Sequence, residues 1–171
     1  ILNGDEFTGV TIQRMDIGVD CGDMIAKKQI RIAEDETGGS LFDKLAEVGA
    51  TLCVETMERI EKGNVEYIPQ DHEQATHVSM IDKELGNIDW TKPAVEIERL
   101  VRGLNPWPSA YTTYEGLTMK VWKTKVLNET SDKEPGTIVN VDKDGIRVST
   151  KDNIILISEI QMPGKKRVLV S

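Results

Sequence analysis

The chain has 171 residues, with 29 Asp and Glu against 21 Lys and Arg, a formal charge of −8 and 39% hydrophobic residues. That length can bury the core of one domain or of two small ones, and no apolar run approaches the roughly 20 residues a membrane-spanning helix needs. The acidity excludes a uniformly basic nucleic-acid binder, but it is uneven: residues 1–82 carry 7 Lys and Arg against 17 Asp and Glu, residues 83–171 carry 14 against 12.

A junction near residue 82 follows, and only the distal part suits a polyanion. Cys21 and Cys53 are too few for a disulfide framework, which points to a reducing cytoplasm. The opening, with polar Asn3-Gly4-Asp5-Glu6, has no signal-peptide pattern. It also lacks methionine, so a piece of a longer protein is expected.

In chain order, residues 1–8 read as the tail of a helix running into a turn at Asn3-Gly4-Asp5. Gly9–Met15 and Met24–Ile32 alternate and are rich in β-branched residues, the pattern of strands. Between them, Asp16-Ile17-Gly18-Val19-Asp20-Cys21-Gly22-Asp23 puts three acids in eight residues. So many charges cannot be core, and the segment is a loop joining the strands. Asp and Gly dominate ordinary turns, so composition alone reads it as a solvated hairpin.

Glu34-Asp35-Glu36 precedes a helix capped at Thr37 or Ser40, with Leu41, Leu45, Val48 and Leu52 as a buried stripe that Met57 and Ile60 extend. Gly63 closes it. Asn64 to Gly86 is irregular and polar, an interdomain linker. His72 and His77 stand five apart, whereas a zincin helix needs histidines at i and i+4, so no metal is expected.

Thr91 then caps a short helix with Pro93 in its first turn and Gly103 beyond. Val95, Leu100 and Leu104 form its apolar face, and Glu98 and Arg102 stand one turn apart as an ion pair. After Asn105-Pro106-Trp107-Pro108 come strands at Ala110–Tyr114, Leu117–Leu127, Gly136–Val141, Gly145–Thr150 and Asn153–Gln161. Five short strands at this spacing indicate a small OB-like barrel. Its Trp90, Trp107 and Trp122 are expected in the core. Lys92, Arg99, Arg102, Lys120, Lys123 and Lys125 outnumber the three acids of the same stretch, as on a nucleic-acid surface, although charged strand faces are usually only solvated.

The run Gly9-Val10-Thr11…Met15-Asp16-x-Gly18-x-Asp20-x-Gly22-Asp23-Met24 resembles the signature loop of the methionyl-tRNA formyltransferases. Asp35 to Ala50, Ile88-Asp89-Trp90, Arg99…Arg102…Asn105-Pro106-Trp107-Pro108, Lys120-Val121-Trp122 and Pro135-Gly136-Thr137-Ile138 follow in the family's order. The resemblance covers nearly the whole chain. It implies the distal part of a Rossmann-like formyltransferase domain at residues 1–68, a linker at 69–87 and an OB-like domain at 88–171.

The activity implied is formyl transfer from 10-formyltetrahydrofolate to the amino group of initiator methionyl-tRNA. The family's catalytic set is an asparagine, a histidine and an aspartate, and the aspartate maps to Asp20. An amine attacking a formyl carbonyl needs a proton acceptor and donors for the developing oxyanion, and a carboxylate beside a histidine favours the donating imidazolium. Asp23 would brace the loop and Asp16 cap its entry. The backbone of Asp16, Ile17, Gly18 and Val19 would lie along the pteridine. Direct amine attack needs no covalent enzyme intermediate, so Cys21 reads as a packing residue.

The resemblance also implies tRNA contacts for Lys83, Arg99, Arg102, Lys120, Lys123 and Lys125, and a cytoplasmic monomer. The family's asparagine and histidine match no residue here, so the 171 residues alone are expected to be inactive. Alternatives are another 10-formyltetrahydrofolate-using hydrolase, a sugar-nucleotide formyltransferase, or a non-catalytic tRNA-binding fragment.

Overall fold

A computed structural model describes residues 1–170, which divide into two compact units. One comprises Asp5–Glu34 and Ser40–Met80; the other comprises Ile1–Gly4, Asp35–Gly39 and the chain from Ile81 onward.

In the first unit, β1 (Phe7–Gln13) and β2 (Met24–Arg31) form an antiparallel pair around the acidic segment. Helix α1 runs Gly38–Glu61, its larger part in this unit. Leu52 is buried, and Leu41, Leu45 and Val48 are partly so. The stripe ends differently from expectation. Met57 is 61% exposed, whereas Thr56 is buried and donates its hydroxyl to the Leu52 carbonyl at 2.6 Å. A threonine tolerates burial when it returns its donor to the preceding turn. Ile1–Gly4, which belongs to the other unit, is not the expected helix tail but a turn closed by the Gly4 amide on the Ile1 carbonyl at 3.0 Å.

In the second unit, α2 (Ala94–Gly103) packs on an antiparallel sheet. The sheet order is β3 (Ala110–Tyr114), β4 (Leu117–Leu127), β7 (Ile154–Gln161), β6 (Gly145–Ser149) and β5 (Ile138–Asp142), with β8 (Val168–Leu169) paired to β7. The five expected strands are present within two residues, and β8 is additional. The path is OB-like but open, since no pairing joins β3 to β5 among the described residues.

The core gathers Ile97 and Val101 of α2 with Val121, Val148, Ile155 and Ile157 of the sheet. On α2 the buried face is Ala94, Ile97, Val101 and Leu104, with Val95 41% exposed, so the apolar face lies elsewhere than Val95 suggested. The cap also differs. The Ala94 amide donates to Asp152 Oδ1 at 2.9 Å, while Thr91 donates both its amide and its hydroxyl to Asp89. Gly38 and Gly39 open α1 against the end of α2; a Cβ on Gly39 would stand 2.7 Å from Pro106 Cδ.

Candidate functional site

The acidic segment leaves β1 at Gln13 and is pinched at its base, where the Arg14 amide donates to the Asp23 carbonyl at 2.9 Å. Gly22 passes so close to the Arg14 carbonyl that any Cβ would collide with it. At the tip, Met15, Ile17 and Val19 are almost wholly exposed. Each acid has a distinct partner. Asp16 Oδ1 accepts from the Ile17 amide at 2.7 Å, and Asp23 faces the Arg14 guanidinium at 3.8 Å. Asp20 adopts a positive φ of 56°, and its Oδ1 accepts from Gln13 Nε2 at 3.0 Å.

The segment after α1 closes on this loop. Ile68 and Met24 exchange backbone hydrogen bonds at 2.8 and 2.9 Å, which delivers Gln70 to the loop's inner side. Gln70 Nε2 donates to Gln13 Oε1 at 2.8 Å, to the Asp20 carbonyl at 3.0 Å and to the Gly22 carbonyl at 2.6 Å. Sequence reasoning passed over Gln13 and Gln70, since one lay in a strand and the other in a presumed linker. The nearest signal was a lone glutamine directly after Pro69.

The six cations do not form one patch of equivalent groups. Lys120, Lys123 and Lys125 are exposed along β4. A bulge at Val121–Thr124 leaves Trp122 unpaired with β7, and its ring lies 5.6 Å from Lys120 Nζ and 4.7 Å from the Arg167 guanidinium. Lys123 stands opposite Glu159, whose carboxyl the Arg167 guanidinium holds below its ordinary range by hydrogen bonding.

Arg102 is committed elsewhere, to Glu98 at 2.6 Å and to the Glu36 carbonyl at 2.7 Å. Arg99 is partly buried with its guanidinium against Gly4, and Lys83 is exposed at the head of a one-turn 3₁₀ helix. Of the tryptophans, Trp107 is 60% exposed, contrary to a core placement, while Trp90 packs against the core and donates to Thr112 Oγ1 at 3.0 Å. Among the described residues no cluster of His, Cys, Asp and Glu could hold a metal ion, and no helix is long and apolar enough to cross a membrane.

The profile described as "Formyl transferase, C-terminal domain" matches residues 80–171, and that described as "Formyl transferase" matches residues 1–57. The chain belongs to the formyl transferase family. Methionyl-tRNA formyltransferase of Agathobacter rectalis is 62% identical over 98% of this chain and 54% of its own length. That of Clostridioides difficile is 56% identical over 99% of this chain and 55% of its own length. The chain therefore spans about half the length of the curated relatives it matches.

Among solved structures, the N-formyltransferase of Helicobacter canadensis in complex with folinic acid and dTDP-3-aminofucose superposes with a TM-score of 0.72 and 21% identity. It covers 94% of this chain and 58% of that one, a likeness of fold. Within this family assignment, the acidic loop and most of α1 fall in one matched region and the whole OB-like sheet in the other.

Proposed function

We propose that this chain is part of a methionyl-tRNA formyltransferase, which moves a formyl group from 10-formyltetrahydrofolate to the amino group of initiator methionyl-tRNA. The observation that carries the reading is the 62% identity to the Agathobacter rectalis enzyme, sustained over 98% of the chain and so through both the loop and the sheet. The N-formyltransferase bound to folinic acid, similar in fold, supports folate chemistry in the family.

In this reading residues 1–68 belong to the catalytic domain, 69–87 connect, and 88–171 form the tRNA-holding domain. Asp20 is the catalytic carboxylate. It stabilises a neighbouring cationic donor and accepts hydrogen bonds from the reacting amine, which a carboxylate with one oxygen already engaged by Gln13 can do through the other. The loop suits a flat heteroaromatic donor: the branched side chains of Ile17 and Val19 are free to cover a ring face, with Gly18 between them allowing close approach. Because the Ile17 amide is taken by Asp16, that contact is apolar or through carbonyls. Lys120, Lys123 and Lys125, with Lys83 and Arg99, would face the phosphates of the tRNA, and Trp122 offers a stacking surface beside them.

The test is a chimera in which this chain replaces the segment it matches in the Agathobacter rectalis enzyme. Formylation of methionyl initiator tRNA is expected, with Asp20→Asn lowering kcat by about 100-fold or more. An Asp20→Asn chimera with unchanged kcat overturns the assignment of Asp20. A chimera that formylates an amino-sugar nucleotide and not methionyl-tRNA overturns the substrate.

A further inference from the structure

We infer that Gln70 is a positioning residue for Asp20, acting through Gln13; the inference rests on the catalytic reading of Asp20 above. A solvated hairpin tip needs no side chain from another segment, and Ile17 and Val19, at 104% and 92% exposure, receive no such cover. Asp20 is held on two sides. Gln70 Nε2 fixes the backbone on both flanks of Cys21, through the carbonyls of Asp20 and Gly22 at 3.0 and 2.6 Å. This pins a non-glycine residue at a φ of 56°, a conformation that turns its side chain away from the path of an extended strand.

The third donation, to Gln13 Oε1 at 2.8 Å, sets polarity. A carboxamide presents a donor at one end and an acceptor at the other. With its oxygen turned to Gln70, Gln13 must present its NH₂ to Asp20 Oδ1, where it stands at 3.0 Å. Without Gln70 the Gln13 oxygen loses its anchor, so the side chain that presents the NH₂ to Asp20 is no longer held in one place. The relay therefore orients Oδ1 and leaves Oδ2, which no protein group bonds among the described residues, as the working oxygen. Gln70 is itself placed by the paired backbone bonds of Ile68 and Met24, two residues away and at the foot of β2. Both amide hydrogens of Gln70 are thus shared among three acceptors between Gln13 and Gly22, an arrangement a connecting segment does not require.

The experiment uses the chimera described above. Gln70→Met keeps the length and removes the donor; it is expected to lower kcat by about 10- to 100-fold, the cost of a misplaced group, with KM for both substrates held within about twofold. Gln70→Lys, which restores donors at that point, should recover most of the loss. Gln13→Leu, which cuts only the arm to the carboxylate, should lower kcat in the same direction while leaving the loop backbone tied. In an Asp20→Asn background, Gln70→Met should cost nothing further, because both changes act through one carboxylate. A wild-type kcat in Gln70→Met and Gln13→Leu overturns the inference, as does a loss that multiplies with that of Asp20→Asn. A loss of kcat with KM rising alongside and no recovery in Gln70→Lys also overturns it, assigning Gln70 to the fold alone. Failure of the underlying reading looks different: Asp20→Asn alone retains kcat.

Discussion

Removing Asp152 should loosen α2 from the sheet, although the residue lies 58 positions from the helix it caps. Its Oδ1 accepts from the Ala94 amide at 2.9 Å, from the Asn153 amide at 2.8 Å and from the Thr150 hydroxyl at 3.1 Å. Loss of a helix N-cap costs about 0.5–2 kcal/mol, and here the tight turn before β7 is lost with it, so Asp152→Ala should cost about 1–2 kcal/mol. Asp152→Asn keeps the acceptor and forfeits the charge near the helix dipole, about 0.3–1 kcal/mol.

All three tryptophans, Trp90, Trp107 and Trp122, lie in the unit containing α2, so their fluorescence in urea reports that unit. With a slope of about 2 kcal/mol/M, the midpoint should fall by about 0.5–1 M in Asp152→Ala and by less in Asp152→Asn. The pH dependence has a definite sign. The Ala94 amide first, then the Asn153 amide and Thr150, hold the Asp152 carboxyl below its ordinary 3.8. A depressed folded value means the charged form's contribution is complete above 3.8 and lost as pH falls through the folded value. The gap between wild type and Asp152→Asn should therefore be constant near neutral pH and close only in acid. The reasoning is refuted if Asp152→Ala matches wild type within about 0.3 kcal/mol, or if Thr91→Ala, at the position the sequence favoured for the cap, costs as much.

Ile155, 0% exposed among Val121, Val148 and Ile97, should cost about 2–5 kcal/mol when cut to alanine, read as a lower urea midpoint in the same fluorescence assay. Arg102 and Lys123 should separate cleanly. Arg102→Ala should lower stability, because it strands Glu98 and the Glu36 carbonyl, and leave the salt dependence of tRNA binding by the chimera unchanged. Lys123→Ala should leave stability within about 0.5 kcal/mol and reduce the slope of log K against log salt by about 1.

The strands and helices were legible because their signals are local. Alternation over Leu117–Leu127 and the turn residues around Gly116 and Gly145 placed β3, β4, β6 and β7 within two residues. What failed is instructive about burial. A stripe at helical spacing does not say where the neighbouring element ends, so Met57 read as core and stands exposed, while Thr56 one position earlier is buried. On α2 the apolar face is read through Val95, Leu100 and Leu104, and the sheet beneath buries Ile97 instead of Val95. Trp107 is read with the other tryptophans as core, yet it is 60% exposed.

The candidate site was legible for the residues that carry charge and illegible for those that hold them. Asp16, Asp20 and Asp23 sit in one short run that composition alone reads as a solvated hairpin, and only the resemblance to the formyltransferase loop singled out Asp20. Gln70 and Asp152 are a different kind of residue. Each reaches from an irregular segment far along the chain to backbone groups that a loop or helix end does not satisfy for itself: the Asp20 and Gly22 carbonyls in one case, the Ala94 amide in the other. Their identity is fixed by an unpaired backbone group 48 to 58 residues away, and nothing in their own neighbourhood records that demand. Such groups must be paired when buried or half-buried, so the question worth asking of any acid-and-glycine loop is which distant donor closes it. For this loop the donor is the amide of Gln70, and through Gln13 the same amide decides which way the carboxylate of Asp20 faces.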